Sequence, residues 1–494
     1  MGMKNINAKL KEFTANKEYM FFISVLFMFI ISTVVGLGDW DYYWQSYLGK
    51  EIVTHGRFDS LGDLIWGTKG LGHYVDHEWL TNVFFYLCKR TFGTFGGVVA
   101  IKLVLESLFV FVTFYFVKYF IKDFSKMSWF TYLACMVSMY CFSMMLLKPK
   151  AYDFSVLFTM LLIISIEKYR ANEKTFKRFA IDILLITILW NNMHSGSVIL
   201  VFVICGLYWL FWFRDVKTLL LGIGVLGSLL INPFGYKLIA FDVSHFSDDM
   251  MKFLISEWAG LSLATYGGKV FALLLIIAFI HIMHMDRKQE NWVYFAMYIL
   301  FFLLAVNSRR HFLYMYPIAL ITFVLGQYED LKKWPIKSLF APTLVITFIS
   351  IWINMLVWMT YADFDKQYTM QYIYTDELRD MLKADLEENT EGFYDGHVFI
   401  DGLEYKSFLI GAFPYVKERS WDAYCMEYGS PKDIEEVIEK YGLDKFLLIE
   451  KSRLAFDYPV MRDTNLYAYL KDNSDYECKY DDGRLAYFVK KEVK

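Results

Sequence analysis

Net charge is what this chain has least of. Its 50 Lys and Arg nearly balance 53 Asp and Glu, for a formal charge of −3, so no basic surplus draws it to nucleic acid. Charged residues make up only 21% of the chain, and they gather between apolar runs instead of spreading evenly. Six cysteines in 494 residues exclude a disulfide framework. Cys88, Cys135, Cys141 and Cys205 lie in or beside apolar runs and behave as small hydrophobes. Cys425 and Cys478 fall in the polar tail and either pair or stay free thiols. No small-x-small cleavage site follows the first apolar run, which is too long for a signal-peptide core, so the run reads as a retained anchor. The last part of the chain has no glycine-rich phosphate loop, no nucleophile elbow and no zinc spacing.

What is present is apolar: 56% hydrophobic and 19% aromatic residues. Repeated uninterrupted stretches of about twenty such residues mark a polytopic α-helical membrane protein. Spans are expected near 19–37, 97–120, 129–147, 153–166, 179–191, 198–213, 219–231, 270–285, 292–306, 312–325 and 339–360, about eleven transmembrane helices in all. The amino end, 1–18, carries Lys4, Lys9, Lys11 and Lys17 and is placed in the cytoplasm. Lys118, Lys122 and Lys126, then Lys168 to Arg178, Arg214 and Lys217, Arg287 and Lys288, and Lys332 to Lys337 mark the inner turns. The membrane module, 19–360, then has two long outer loops, 38–96 and 232–268, and the carboxyl end lies outside. Residues 361–494 change to the composition of a soluble, extracytoplasmic α/β domain. A buried strand is expected at 397–401. A helix should start at Pro431, present Ile434, Val437, Ile438 and Tyr441, and stop at Gly442. Strands follow at 445–450 and, as an edge strand, at 484–490.

Candidate chemistry lies in short words at the outer ends of spans. Gly38-Asp39-Trp40-Asp41-Tyr42-Tyr43-Trp44 directly follows the first run. Acids at that depth are costly unless paired or used, whereas the rings suit the interfacial aromatic belt. On an extended segment Asp39 and Asp41 point to one side, to share a metal ion or to let one act as base; the plainer reading is a helix cap with a salt bridge. In the same loop His73, Asp76, His77 and Glu78 offer an i,i+4 histidine pair for a divalent ion, or a His77 that orients an acid or a sugar. In the second outer loop, Ser256-Glu257-Trp258 pairs an acid for sugar hydroxyls with an indole for the apolar sugar face, or is an acid beside a belt tryptophan. Lys148, Lys150, Arg309 and Arg310 sit outside against the positive-inside trend. They suit phosphate oxygens, either of outer-leaflet headgroups or of a polyisoprenyl donor. His194, within Trp190-Asn191-Asn192-Met193-His194-Ser195-Gly196, lines a cavity or ends a lipid-facing helix. Glu106 is a lone acid inside the second span, there for function or for helix packing. Trp421, Asp422 and Tyr424 read as ordinary core and surface.

These words resemble the GT-C superfamily of integral-membrane glycosyltransferases. The resemblance rests on Asp39-Trp40-Asp41 after the first span, the long first outer loop, the span count and the external carboxyl-terminal domain. More closely, His55-Gly56-Arg57, His77-Glu78-Trp79-Leu80, Lys148-Pro149-Lys150, Asn232-Pro233-Phe234-Gly235 and Glu257-Trp258 resemble a poorly characterised bacterial group of this type. The resemblance implies use of a polyisoprenyl-phosphate-linked sugar. It assigns Asp39 or Asp41 as catalytic base or metal ligand, with Glu257 matching a later outer-loop acid of the oligosaccharyltransferase branch. That branch's Trp-Trp-Asp motif is missing, and Ser420-Trp421-Asp422 is a poor substitute, so asparagine glycosylation is not implied.

The expectation is therefore a multi-pass glycosyltransferase of a bacterial cell membrane, acting at the outer face. Asp39, Asp41 and Glu257 are its catalytic candidates. Lys148, Lys150, His194, Arg309, Arg310, His77, Glu78 and Trp258 are expected to touch substrate, and Asp41 and His77 to hold a magnesium or manganese ion if one is used. Membrane lipids and a surface acceptor complete its partners. The rivals are a flippase or transporter of a lipid-linked sugar, disfavoured because Glu106 is essentially the only deep acid, and a non-catalytic envelope-assembly protein.

Overall fold

The computed structural model describes, in the main, residues 17–34, 41–56, 75–143, 150–246, 266–326, 429–449 and 464–491, with short strand pieces between 387 and 410. Asp39, His73, Lys148, Glu257, Trp258 and the last expected span, 339–360, lie outside the described residues, and of Asp41 only the backbone is described.

The described helices are α1 (Lys17–Val34), α2 (Asp41–His55), α3 (Trp79–Ile121), α4 (Trp129–Ser143), α5 (Tyr152–Arg170), α6 (Phe176–Met193), α7 (Ile199–Tyr208), α8 (Val216–Ser228), α9 (Tyr236–Phe246), α10 (Tyr266–His284), α11 (Trp292–Asn307) and α12 (Met315–Leu325), most of them formed by the apolar runs. Among the described residues, Gly96–Ile121, Ser195–Phe213 and Gln289–Asn307 are long and apolar enough to cross a bilayer, and Phe130–Phe142, Val216–Ser228 and Phe271–His284 are shorter apolar helices. Their outward faces are as apolar as their inward ones. On α8, Val216, Leu219, Leu220, Ile223 and Leu226 are all exposed, a stripe at i, i+3, i+4 and i+7 that water would penalise and lipid does not. These are helices of a membrane protein.

The chain divides into two compact units. The first comprises Met1–Leu37, Phe92–Gly235 and Gly260–Ala362, and the second Gly38–Thr91, Tyr236–Ala259 and Asp363–Lys494. Two helices form the centre of the first. From Met315 to Val324 every residue of α12 is buried, and α5 is buried from Tyr152 to Met160 and again from Leu162 to Glu167. A helix apolar on all sides belongs inside a bundle. Around this pair, α12 packs on α4, α10 and α11, while α5 packs on α6 and α7.

The two expected loop regions carry helices: 38–96 contains α2 and the first part of α3, and 232–268 contains α9. The backbone of Asp41 thus opens a helix, where an extended segment was considered. Within α3, Gly93 breaks the helix at φ 77°, a left-handed conformation that favours glycine, next to the boundary between the units. Gly49 is needed for contact: a Cβ on it would lie 2.0 Å from the Asn82 carbonyl oxygen, so α2 and α3 pack there backbone to backbone.

The last part of the chain folds a four-stranded sheet in the order β3 (Val398–Ile400), β5 (Lys445–Ile449), β7 (Leu485–Lys490) and β6 (Tyr476–Asp481). β3 and β5 run parallel, and the other neighbours antiparallel. The expected edge strand is therefore interior, because β6 covers it. Three short strands, β1 (Glu387–Glu388), β2 (Tyr394–Asp395) and β4 (Leu409–Ile410), form a second sheet. Helix α13 (Pro431–Tyr441) starts at a Ser430/Asp433 capping box and stops at left-handed Gly442. With α14 (Asn465–Asp472) it buries Ile434, Val437, Ile438, Leu466 and Leu470 against Phe446, Leu448 and Phe488. Cys425 is in this core, Cys478 is exposed, and the two do not pair.

Candidate functional site

Three helix ends in the first unit assemble a polar site. Helix α6 closes at His194, whose N–H bonds to the Trp190 carbonyl at 2.8 Å and whose φ of −160° turns the chain out of the helix. The tight turn Ser195–Ser197 then leads into α7. Helix α11 ends at Asn307, and the 3₁₀ turn Arg309–Tyr314 carries the chain on to α12. These two corners meet the first turn of α5.

His194 Nδ1 lies 2.7 Å from Ser155 Oγ and 2.9 Å from Ser197 Oγ. The Trp190 indole N–H donates to the same two oxygens, each at 2.9 Å. On the other side of the ring, Arg310 Nη2 lies 3.1 Å from His194 Nε2. Ser155, Trp190, His194 and Ser197 are all buried. The Arg310 guanidinium stands 5.9 Å from the centre of the Tyr152 ring, and the Lys150 ammonium 5.7 Å from it, within the range of cation–π attraction. Burial first, then the positive charge of Arg310, pushes His311 down to about 4, so this neighbour stays a neutral imidazole.

Of the four cations expected to act together, the structure brings Lys150 and Arg310 onto one aromatic ring. It adds His194, and Arg309 precedes Arg310 in the same turn. The polar run 190–196 proves to have two jobs. Asn191 and Asn192 donate to the carbonyls of Leu229 and Ile231, at 3.0 and 2.9 Å, and so satisfy the end of α8. His194 alone turns to Arg310. Ser155, Ser197 and Tyr152 were not singled out in the sequence, and only their neighbourhood to this run and to Lys150 hinted at them.

The described part of 38–96 is built around Asp76. Its carboxylate accepts the Glu78 N–H at 3.0 Å and Asn82 Nδ2 at 2.9 and 2.8 Å, one contact on each oxygen. This buried turn starts α3. With neutral donors only, burial pushes Asp76 up to about 7, further than those hydrogen bonds hold it down, with Glu78 adding repulsion. Beyond it, Glu78 accepts from Gln45 Nε2 on α2 at 2.5 Å and stands 3.5 Å from His77 Nε2. The His77 ring lies 5.4 Å from that of Phe241 on α9. His77 and Glu78 are thus presented together by α2, α3 and α9. As a donor set they are a pair: among the described residues no three His, Cys, Asp or Glu side chains gather as a metal site would require.

Glu106 is not a lone charge. Lys102, one turn earlier on α3, is fully buried, and the i,i+4 spacing puts both on one helix face. Glu167, near the end of α5, is buried too. It accepts Tyr208 and Tyr294 hydroxyls at 2.5 and 2.6 Å on one oxygen and the Arg170 fork at 2.7 Å on the other. Buried charge in the helices is thus not confined to Glu106.

No family model and no curated protein matches the chain. In shape it is similar to an oligosaccharyltransferase of Archaeoglobus fulgidus, solved with a tethered acceptor peptide. That likeness has a TM-score of 0.50 at 10% identity over 87% of this chain and 69% of the other. It is also similar to a mutant form of the arabinofuranosyltransferase AftD from Mycobacteria, with a TM-score of 0.50 at 9% identity over 95% of this chain. It spans 41% of the length of AftD. At such identities the likeness speaks for the fold alone, one shared with these two transferases.

Proposed function

We propose that the protein is an inverting glycosyltransferase at the outer face of a bacterial cell membrane, moving a sugar from a polyisoprenyl-phosphate donor to a surface acceptor. The observation that carries this reading is the convergence of Lys150 and Arg310 on Tyr152. Two cations on one ring suit the several oxygens of a phosphate. A lipid-linked phosphate supplies the anion, and the membrane helices supply the medium for its chain.

In the proposed reaction Asp39 or Asp41 takes the proton of an acceptor hydroxyl. The freed oxygen attacks the anomeric carbon, the bond from that carbon to the phosphate oxygen breaks, and the lipid phosphate leaves with the electron pair. Lys150 and Arg310, joined by Lys148 and Arg309, offset the charge that develops on it. Glu257, Trp258, His77 and Glu78 contact the sugars. Asp41 and His77 are the residues that would hold a magnesium or manganese ion, and chelation of the purified protein reads whether one is needed.

Purified protein incubated with radiolabelled polyisoprenyl-phosphate sugars should release free lipid phosphate. Asp39→Asn and Asp41→Asn should stop that release without loss of expression, and full activity in both would end the mechanism. A transporter is the second reading, favoured by Lys102 and Glu106 buried on one face of a span. It would move the labelled donor across a proteoliposome bilayer intact.

A further inference from the structure

We propose that His194 is a positioning residue for Arg310: a neutral imidazole that holds the guanidinium in place for an incoming phosphate. This rests on the reading of Arg310 as a phosphate-holding group and goes beyond it by naming what aims that group.

Hydrogen accounting carries the argument. A guanidinium only donates, so the 3.1 Å contact between Arg310 Nη2 and His194 Nε2 makes Nε2 the acceptor. The ring is then neutral, with its proton on Nδ1. That proton has Ser155 Oγ at 2.7 Å and Ser197 Oγ at 2.9 Å as acceptors. The Trp190 indole, also only a donor, is directed at the same oxygens. The serine protons must therefore run onward. Ser155 donates to Ser197 Oγ at 2.6 Å, and Ser197 to the His194 carbonyl at 3.3 Å. Every donor in this buried cluster has an acceptor, and the direction of each bond follows from Trp190 and Arg310 at its two ends. The result is one tautomer of His194 with its lone pair facing the guanidinium.

Anchored by His194 on one side and lying over the Tyr152 ring, the guanidinium loses little freedom when an anion arrives, and its planar fork suits phosphate oxygens. A leucine at 194 fills the space without offering an acceptor. A glutamine can bring an amide oxygen to the place of Nε2.

The test uses the full chain in detergent micelles and measures binding of farnesyl phosphate, with farnesol as the phosphate-free control. His194→Leu should weaken farnesyl phosphate binding about tenfold and leave farnesol unchanged, and His194→Gln should recover most of the loss. In an Arg310→Ala background, His194→Leu should add nothing further. If Arg310→Ala weakens binding while His194→Leu does not, positioning is overturned and the phosphate reading stands. If Arg310→Ala itself binds farnesyl phosphate like the parent, the phosphate reading fails. A His194→Gln variant as weak as His194→Leu also overturns the proposal, since the acceptor would then not matter. Should His194→Leu fail to fold, the double variant Ser155→Ala/Ser197→Ala takes its place: it removes both side-chain acceptors of the Nδ1 proton, a loss of about threefold is expected, and unchanged affinity refutes the idea.

Discussion

Helix α5 has a charged cluster at each end, and the two obey opposite rules. At Glu167 a buried carboxylate meets a guanidinium and two tyrosine hydroxyls, and Arg170 in turn lies 4.4 Å over the Trp212 ring. Opposite charges are matched inside the protein, and α5, α7 and α11 are tied together by the match. At Tyr152 two cations share one ring, and Arg310 donates to His194. The first arrangement explains itself by stability, since breaking such a pair leaves a buried charge behind. The second sets two cations on one aromatic ring and is the proposed phosphate site.

The contrast can be broken from either end. Removing the carboxylate with Glu167→Leu should cost about 3–5 kcal/mol, read as a lowered thermal unfolding midpoint in detergent, with farnesyl phosphate affinity of the folded fraction unchanged. Arg310→Ala should do the reverse. Its unfolding midpoint should stay near that of the parent while sugar transfer falls about 100-fold, equivalent to about 2.7 kcal/mol. If both variants lose stability and neither changes transfer, the two ends are of one kind and the site is wrongly placed.

Asp76 sharpens the comparison, being a buried acid supported by neutral donors only. Folded, it takes its proton at about 7, against 3.8 as the ordinary value. The folded state thus binds the extra proton between those values. The stability this proton brings is full below pH 4 and is lost as pH rises to about 7. The unfolding midpoint of the parent minus that of Asp76→Asn should therefore fall from pH 5 to pH 8, and a flat difference would count against the buried turn. The smallest effect expected is Ser430→Ala, about 1 kcal/mol from loss of the cap of α13. Faster amide exchange confined to Pro431–Tyr441 would report it.

Much of the fold was legible because its signals are local. A run of apolar residues becomes a helix wherever it lies, and the expected spans at 97–120, 198–213 and 292–306 return as Gly96–Ile121, Ser195–Phe213 and Gln289–Asn307. Helix α13 was legible down to its stop at Gly442, since caps are written within a turn of the chain. Helix α2 was not: Asp41–His55 mixes aromatic, polar and charged residues without an apolar run, and only its packing on Asn82 through Gly49 shows its buried face. Strand β6 was hidden for a related reason. Glu477, Cys478 and Lys479 are all exposed, so no alternating pattern announced it and β7 was mistaken for an edge.

The site divides in the same way. The cations of 148–150 and 309–310 and the polar run at 190–196 stood out because they break the charge rule of a membrane chain. The serines and the tyrosine that complete the cluster are ordinary residues and carry no such mark.

By itself the sequence determined that the chain lies in a membrane, since the free energy of placing twenty apolar residues in lipid depends on those residues alone. It also singled out the charges at odds with the expected topology. Only the tertiary structure decided which of them meet. The pairing of Arg310 with His194, and of both with the start of α5, is a matter of where three helices end, and contacts across such distances along the chain arise from packing, which no short stretch encodes.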